Sequence, residues 1–289
     1  MQSMETRPIV TLTTDFGIAD AYVSTMKGVM LNIAPQAQLV DVTHAIAAQD
    51  VRETAYVLYT AYRFFPPRAV HLVVVDPGVG SARRPIAVHT SHGSFVGPDN
   101  GVFSYVMAEE SVSTVVELAD PRYRLPSVSH TFHGRDIFAP AAAHLATSVH
   151  IDQLGPPVTD ARTLPPPRLE IDVHSVRGEV LHIDHFGNVV TSVGRLLWRT
   201  DELSLKPAFR QKSHEQARFL PDQALVVAGS PPSGGRKIQK VRRTYADVKR
   251  GEVLALVGSG GHLEIAVREG SGARELGLEL GDPVELRWS

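Results

Sequence analysis

Polar side chains interrupt apolar runs at a few places in this chain, and their types suit proton handling and ligand holding. In VVVDPGVGSARR, Val73 to Arg84, an apolar run stops at Asp76, passes Gly78 and Gly80, and reaches Arg83. A glycine turn across that spacing can fold the guanidinium back onto the carboxylate as a bidentate pair. TFHGRDIFAPAAAHLA sets His133 and Gly134 just before a helix starting near Arg135, where an imidazole can face a crevice and titrate near neutrality. TTDFGIADAY supplies Asp15 and Asp20 around a turn, and a carboxylate at a strand end can accept both hydroxyls of a ribose. DHFGN offers Asp184, Phe186 and Asn188, an acid, a ring and an amide that together could hold an amino acid and stack on a base. Each has a plainer reading: a structural ion pair, a loop histidine, a helix N-cap at Asp20, an ordinary turn at FGN.

Other chemistries find less support. GVGSAR keeps only the first two glycines of a dinucleotide fingerprint, with Arg83 in the third place and no Walker lysine, and those glycines equally permit a tight turn. His130 with His133, and His182 with His185, lack a third ligand nearby, so no metal is expected. The chain has no cysteine, which removes disulfides, thiolate nucleophiles and zinc-thiolate sites. A net charge of -2, from 29 basic and 31 acidic residues, gives no general attraction to nucleic acid or an anionic membrane. A small-molecule partner is therefore favoured. No unbroken apolar run approaches the ~20 residues of a spanning helix, and MQSMETRP lacks the apolar core of a leader, so the expectation is a soluble cytoplasmic protein.

The elements that must carry these residues alternate. PIVTLTTDFG reads as a strand ending in a polar turn, and Val23, Met26, Met30 and Ile33 then recur at helical spacing until Pro35. Asp50 and Glu53 have the spacing of a capping box for a second helix, which Pro66 and Pro67 close, and AVHLVVVD follows as a strand covered on both faces. Strand, helix and strand in turn predict a mainly parallel sheet with ligands beyond its carboxyl strand ends, where Asp15 and Asp76 fall. Pro165 to Pro167 read as a linker. The expected organisation is an α/β domain over 1–164 and a smaller, mostly β domain over 165–289, with short strands broken at Gly178 and Gly187. RTDELSLKPAFRQKSHEQARF is polar and weakly periodic and receives no assignment.

Taken in order, TTDFG, VVDPGVGSARR, FVGPDNGVFS, TFHGRDIFAP, DHFGN and GSGGHLEIAV closely resemble the S-adenosyl-L-methionine hydroxide adenosyltransferases, relatives of fluorinase and chlorinase. The resemblance runs from about Ile9 to the last strands and is poorest between Arg199 and Arg243. It implies an N-terminal Rossmann-like α/β domain, a C-terminal β-barrel-like domain, and a homotrimer with active sites at subunit interfaces. The implied reaction joins water and S-adenosyl-L-methionine to give adenosine and L-methionine, without a cofactor.

By motif matching, the family's catalytic residues fall on Asp76, Arg83 and His133. Asp15 resembles the ribose acceptor, with Asp20 beside it; Asp184 and Ser259 resemble the methionine-recognising positions, and Phe186 and Asn188 the adenine side. Tyr245, in TYADV, supplies another ring. In the fluorinase pattern a tyrosine occupies the place of Asp76, so the acid here argues for an oxygen nucleophile. Two departures stand out: Gly260 lies where halogenases carry an arginine, and His262 where an aromatic is common. Halide-dependent adenosyl transfer and non-catalytic sensing of S-adenosylmethionine are the alternatives. Asp76 and Arg83 are expected to position and polarise water with help from His133, and which group takes the proton is left open.

Overall fold

The structure, a computed structural model, describes residues 7–209, 217–229 and 235–289. The chain forms two compact units, Met1–Leu164 and Pro165–Ser289.

In the first unit, β1 (Ile9–Thr14) leads through α1 (Tyr22–Ile33) to β2 (Gln38–Thr43), and α2 (Val51–Ala61) leads on to β3 (Val70–Val74). The helical spacing in α1 has its expected result: Met26 and Met30 are fully buried, and the helix stops before Pro35. Only one arm of the capping box forms in α2. The Asp50 carboxylate accepts the Glu53 N–H at 2.8 Å, while the Glu53 carboxylate accepts from Ala47 instead. The unit continues with β4 (Pro85–Thr90), β5 (Gly93–Pro98), α3 (Ser104–Glu109) and β6 (Val112–Glu117), then a π-helical turn Gly134–Phe138 and α4 (Ala139–Ala146).

The six strands lie in the order β2-β1-β3-β5-β4-β6, with β2, β1, β3 and β5 mutually parallel and β4 antiparallel to both neighbours. The chain adds β2 on one side of β1 and β3 on the other. Connections therefore diverge at the carboxyl ends of β1 and β3, the arrangement that opens a ligand crevice in Rossmann-like sheets. Val10, Leu12, Leu72 and Val74 pack on Met26, Met30 and Phe138, and the run of alanines in α4 packs into the same core.

In the second unit the strands are β7 (Leu169–Asp172), β8 (Ser175–Ile183), β9 (Val189–Thr191), β10 (Leu196–Arg199), β11 (Glu202–Leu205), β12 (Arg218–Phe219), β13 (Leu225–Ala228), β14 (Arg236–Gln239), β15 (Val241–Arg242), β16 (Val253–Val257), β17 (Leu263–Val267) and, after α5 (Gly272–Leu276), β18 (Pro283–Arg287). Nine of them form one sheet ordered β14-β13-β18-β8-β9-β17-β16-β15, with β7 beside β8. It curls until β14 approaches β16, a nearly closed barrel. The break expected at Gly178 is absent, since β8 runs straight through it. A Cβ there would stand 2.6 Å from Ser192 Oγ, so this glycine admits close packing rather than ending a strand. The unassigned polar stretch holds β11 and β12, and its residues 210–216 lie outside the described ones. Among the described residues no helix is long and apolar enough to cross a membrane.

Candidate functional site

Asp15 follows the last residue of β1 directly and Asp76 lies two residues beyond the end of β3; Thr14 and Val74 pair across the two strands, so both acids stand at the crevice. Arg83 returns across the glycine turn as its spacing allowed. Its Nε donates to Asp76 Oδ1 at 2.7 Å and its Nη2 to Asp76 Oδ2. Both side chains are nearly buried, at 4% exposure for Arg83 and 6% for Asp76, and the guanidinium lies over the Phe138 ring. The next residue, Arg84, serves a different end: it pairs with Asp99 and Asp160 and ties the FVGPDN turn to the loop near 160.

His133 joins this pair through its Nδ1, 2.7 Å from Arg83 Nη2. A guanidinium has donors only, so Nδ1 is the acceptor, and a neutral imidazole must carry its proton on Nε2. Burial and the adjacent Arg83 charge lower the His133 pKa below that of an ordinary histidine, with Asp76 opposing. Arg83 Nη1 is buried without a partner among the described residues, leaving one guanidinium donor for an oxygen ligand.

Local packing fixes the two loops that meet here. Gly80 has φ 77, and a Cβ on it would stand 2.6 Å from the His130 carbonyl oxygen, so only glycine lets the Asp76–Arg83 loop approach the His133 loop so closely. Asp136, fully buried, accepts from the Ser129 N–H at 2.7 Å and from Arg135 at 2.6 Å, anchoring the loop that carries His133. Burial would raise its pKa, but these hydrogen bonds outweigh it and hold the carboxyl below the usual range. Asp15 accepts the Gln49 N–H at 2.9 Å. Asp20 is exposed, and the N-cap of α1 is Ala21, so the capping role open to Asp20 in the sequence is not the one it fills.

The remaining candidates converge in the second unit. Asp184, Phe186, Asn188, Tyr245, Ser259 and Glu264 line a cavity of about 820 Å³. DHFGN is a turn: Asp184 Oδ1 accepts the N–H groups of Phe186 and Asn188 at 2.9 and 2.8 Å, and Oδ2 accepts the Asn188 amide. The acid thereby holds out Phe186, which is 74% exposed. Tyr245 sits in a short turn whose capping box is made by Thr244 and Asp247. His262 is a core residue; its Nδ1 lies 2.9 Å from the Thr191 carbonyl and its ring stacks on Phe209. A Cβ on Gly260 would meet His262 Cδ2 at 3.8 Å, an ordinary contact, and the glycine gives the β16–β17 turn no side chain. No group of three His, Asp or Glu side chains among the described residues could hold a metal ion.

Sequence reasoning missed Asp136 and Glu264. The HGRD motif could have flagged the first, because an acid two residues after a glycine that opens a helix can tie the preceding loop. Nothing local flags the second.

Fold and site define a two-unit protein, Rossmann-like α/β followed by a barrel-like β unit, with an acid, a guanidinium and an imidazole at a sheet switch point. Residues 10–155 match the SAM hydroxide adenosyltransferase N-terminal domain and residues 178–285 its C-terminal domain. The chain belongs to the S-adenosyl-L-methionine hydroxide adenosyltransferase family. It is 39% identical to the (R)-S-adenosyl-L-methionine hydrolase of Thermus thermophilus, covering 97% of this chain and 99% of that one. A fluorinase of Nocardia brasiliensis is more distant, 27% identical with 97% of each covered. A crystal structure of an uncharacterized conserved protein from Thermotoga maritima superposes with a TM-score of 0.82 at 35% identity, covering 96% of this chain and 99% of that one.

Proposed function

We propose that this protein is an enzyme that hydrolyses S-adenosyl-L-methionine to adenosine and L-methionine by attack of water at ribose carbon 5′. The observation that carries the reading is the convergence of Asp76, Arg83 and His133 at the switch point. Full-length relatives bearing the hydrolase name support it.

The substrate already holds its leaving group as a sulfonium, so breaking the C5′–S bond returns the electron pair to sulfur and releases a neutral thioether. No acid and no cofactor are required for that step. The difficulty lies with the nucleophile, since bulk water has a pKa of ~15.7. His133, with its proton on Nε2, donates to the water oxygen and leaves a lone pair directed at carbon 5′. Asp76 keeps acceptor capacity beyond its two bonds to Arg83 and takes a water hydrogen as the C5′–O bond forms, the proton passing on to solvent. Arg83 holds both partners in register, which supplies orientation in advance. The acid side of the trio thus accepts and the imidazole donates. Asp15 is assigned the ribose diol, with Asp20 beside it; Phe186, Tyr245 and Asn188 are assigned the adenine, and Asp184 and Ser259 the amino acid.

A sulfonium with three different carbon substituents is pyramidal and chiral. Because nucleoside and amino acid are both held, one epimer presents its 5′ carbon to the water, and the relatives' names support the (R) epimer as substrate. The homotrimer with active sites at subunit interfaces and a cytoplasmic location belong to the same proposal. Light scattering at three times the 31.4 kDa of one chain tests the assembly.

Incubation of each epimer in oxygen-18 water, followed by mass analysis, tests the chemistry. Label in the adenosine 5′-hydroxyl supports hydrolysis. A 5′-halo-adenosine formed only with added chloride or fluoride would make the protein a halide adenosyltransferase, and tight binding with substrate returned intact would make it a sensor.

A further inference from the structure

Glu264 lies on β17 and is 8% exposed, yet its side chain lines the cavity shared with Asp184 and Ser259. Its Oε1 accepts the Tyr245 hydroxyl at 2.5 Å. Its Oε2 accepts no hydrogen bond among the described residues and is turned toward Gly258, where an added Cβ would stand only 2.3 Å from it. The backbone step before Ser259 therefore leaves room for a carboxyl that uses one oxygen on the protein and keeps the other for the cavity.

The electrostatics of that oxygen are unusual. Burial and the nearby Asp184 charge push the Glu264 carboxyl above the ordinary glutamate range, against the opposing hydrogen bond from Tyr245. No cationic side chain is among the groups acting on it. Arg243, which also lines the cavity, has its guanidinium over the Trp198 ring at 4.1 Å and donates to the Thr200 carbonyl. Arg274 and Glu269 also line the cavity; Glu269 pairs with Arg250, and neither is among the groups acting on Glu264. Asp184 and Glu264 repel each other there, and a desolvated carboxylate is costly unless paired. A ligand cation relieves both penalties.

S-adenosylmethionine brings two positive centres. Its sulfonium must sit at the reacting carbon, whereas its α-ammonium lies at the end of the amino-acid chain, the portion assigned to Asp184 and Ser259. Ser259 is the residue after Gly258. We propose that Glu264 is a specificity-determining residue that receives, together with Asp184, the α-ammonium group of the substrate, and that the Tyr245 hydroxyl fixes its orientation. This rests on the reading of S-adenosylmethionine as substrate. It adds a second carboxyl to the recognition of the amino group, in a protein whose Gly260 carries no side chain for that end of the ligand.

The test compares wild type, Glu264→Gln and Tyr245→Phe, each with S-adenosylmethionine and with its deaminated analogue. Glutamine keeps the shape and the acceptor for Tyr245 but removes the charge. The expected result is a KM for S-adenosylmethionine raised about 10- to 100-fold in Glu264→Gln, the loss of one charge-assisted hydrogen bond, with kcat within about twofold. Wild type should show a comparable rise with the deaminated analogue, and Glu264→Gln should add little to it. Thermal melts of all three proteins report folding separately. Tyr245→Phe, which keeps the ring and removes only the hydroxyl that orients Glu264, should raise KM for S-adenosylmethionine less than Glu264→Gln does. Equal loss on both substrates in Glu264→Gln would mean that its charge does not meet the ammonium and would overturn the proposal. An unchanged KM in Glu264→Gln would overturn it as well. If wild type hydrolyses neither compound, the functional reading fails first, and that outcome is distinct from both.

Discussion

A single nitrogen, Arg83 Nη2, donates to Asp76 Oδ2 and also to His133 Nδ1, 2.7 Å away. Its two hydrogens suffice for both bonds, so the guanidinium sets the carboxylate and the imidazole at a fixed mutual angle. Lysine cannot reproduce this, because one ammonium cannot occupy the Nε and Nη2 positions together. Arg83→Lys is expected to lower kcat by about 100-fold or more through lost alignment, with the Kd for substrate changed less than fivefold. Asp76→Asn removes the proton-accepting carboxylate while keeping its size and should do the same. Single-turnover rates beside calorimetric binding check both; a kcat near wild type in Asp76→Asn would remove that residue from the chemistry.

The same bridge gives activity a sign in pH. His133 must be neutral for Nδ1 to accept from Arg83, and burial with the Arg83 charge lowers its pKa. A lowered pKa keeps the imidazole neutral further into acid, so activity should hold steady through neutrality and fall only below the ordinary histidine value of about 6.5. His133→Gln should lose kcat and also this acid limb. A wild-type limb centred above the ordinary value would mean that the imidazole works in its charged form.

The path from sequence to site was uneven, for reasons particular residues make plain. Helix α1 is legible because Met26 and Met30 repeat one face and Pro35 ends it, all within a few turns. The Asp76–Arg83 ion pair is equally local, since a glycine turn joins its members. The barrel is harder to see, because its strands are short and pair at long range, as β8 does with β18. Gly178 looks like a breaker for the same reason: the side chains it makes room for, Ser192 and Val193, belong to a different stretch. Glu264 is hidden inside LEIAV, an otherwise apolar strand, and its partner Tyr245 lies 19 residues earlier. Asp136 beside Arg135 reads as a surface pair, and complete burial is a tertiary fact that no local spacing announces.

Phe186 is a large ring left 74% exposed at the rim of a cavity, and the Asp184 turn holds it there. An exposed ring contributes little to folding, so Phe186→Ala should leave the melting temperature within about 2 °C of wild type. If the ring stacks on adenine, truncation should raise KM about 10-fold, the scale of one base–aromatic contact, with kcat little changed. Competition with adenosine and with methionine separates the causes: only adenosine should bind more weakly. Loss of affinity for methionine alone would assign the ring to the other end of the substrate.

His71 tests the core rather than the site. On β3 it is 1% exposed, its Nδ1 lies 2.9 Å from Thr11 Oγ1, and its ring stacks on Phe95 at 4.8 Å. Nε2 has no partner among the described residues, and burial lowers the pKa to about 4. In the unfolded chain the same group titrates near 6.5. The unfolded state therefore binds the extra proton first, so the contribution is complete above pH ~6.5 and is lost as pH falls toward the folded value, on the order of 3 kcal/mol in all. Urea unfolding of wild type at several values between pH 7.5 and pH ~4 should show stability falling across that window. His71→Gln, which forfeits the ring stack, should start less stable at neutral pH and follow a flatter course. Acids such as Asp41 and Asp136, whose pKa values are held low by their partners, contribute at lower pH in both proteins. The difference between the two curves therefore isolates the histidine, and parallel curves would show that His71 is accommodated in its protonated form.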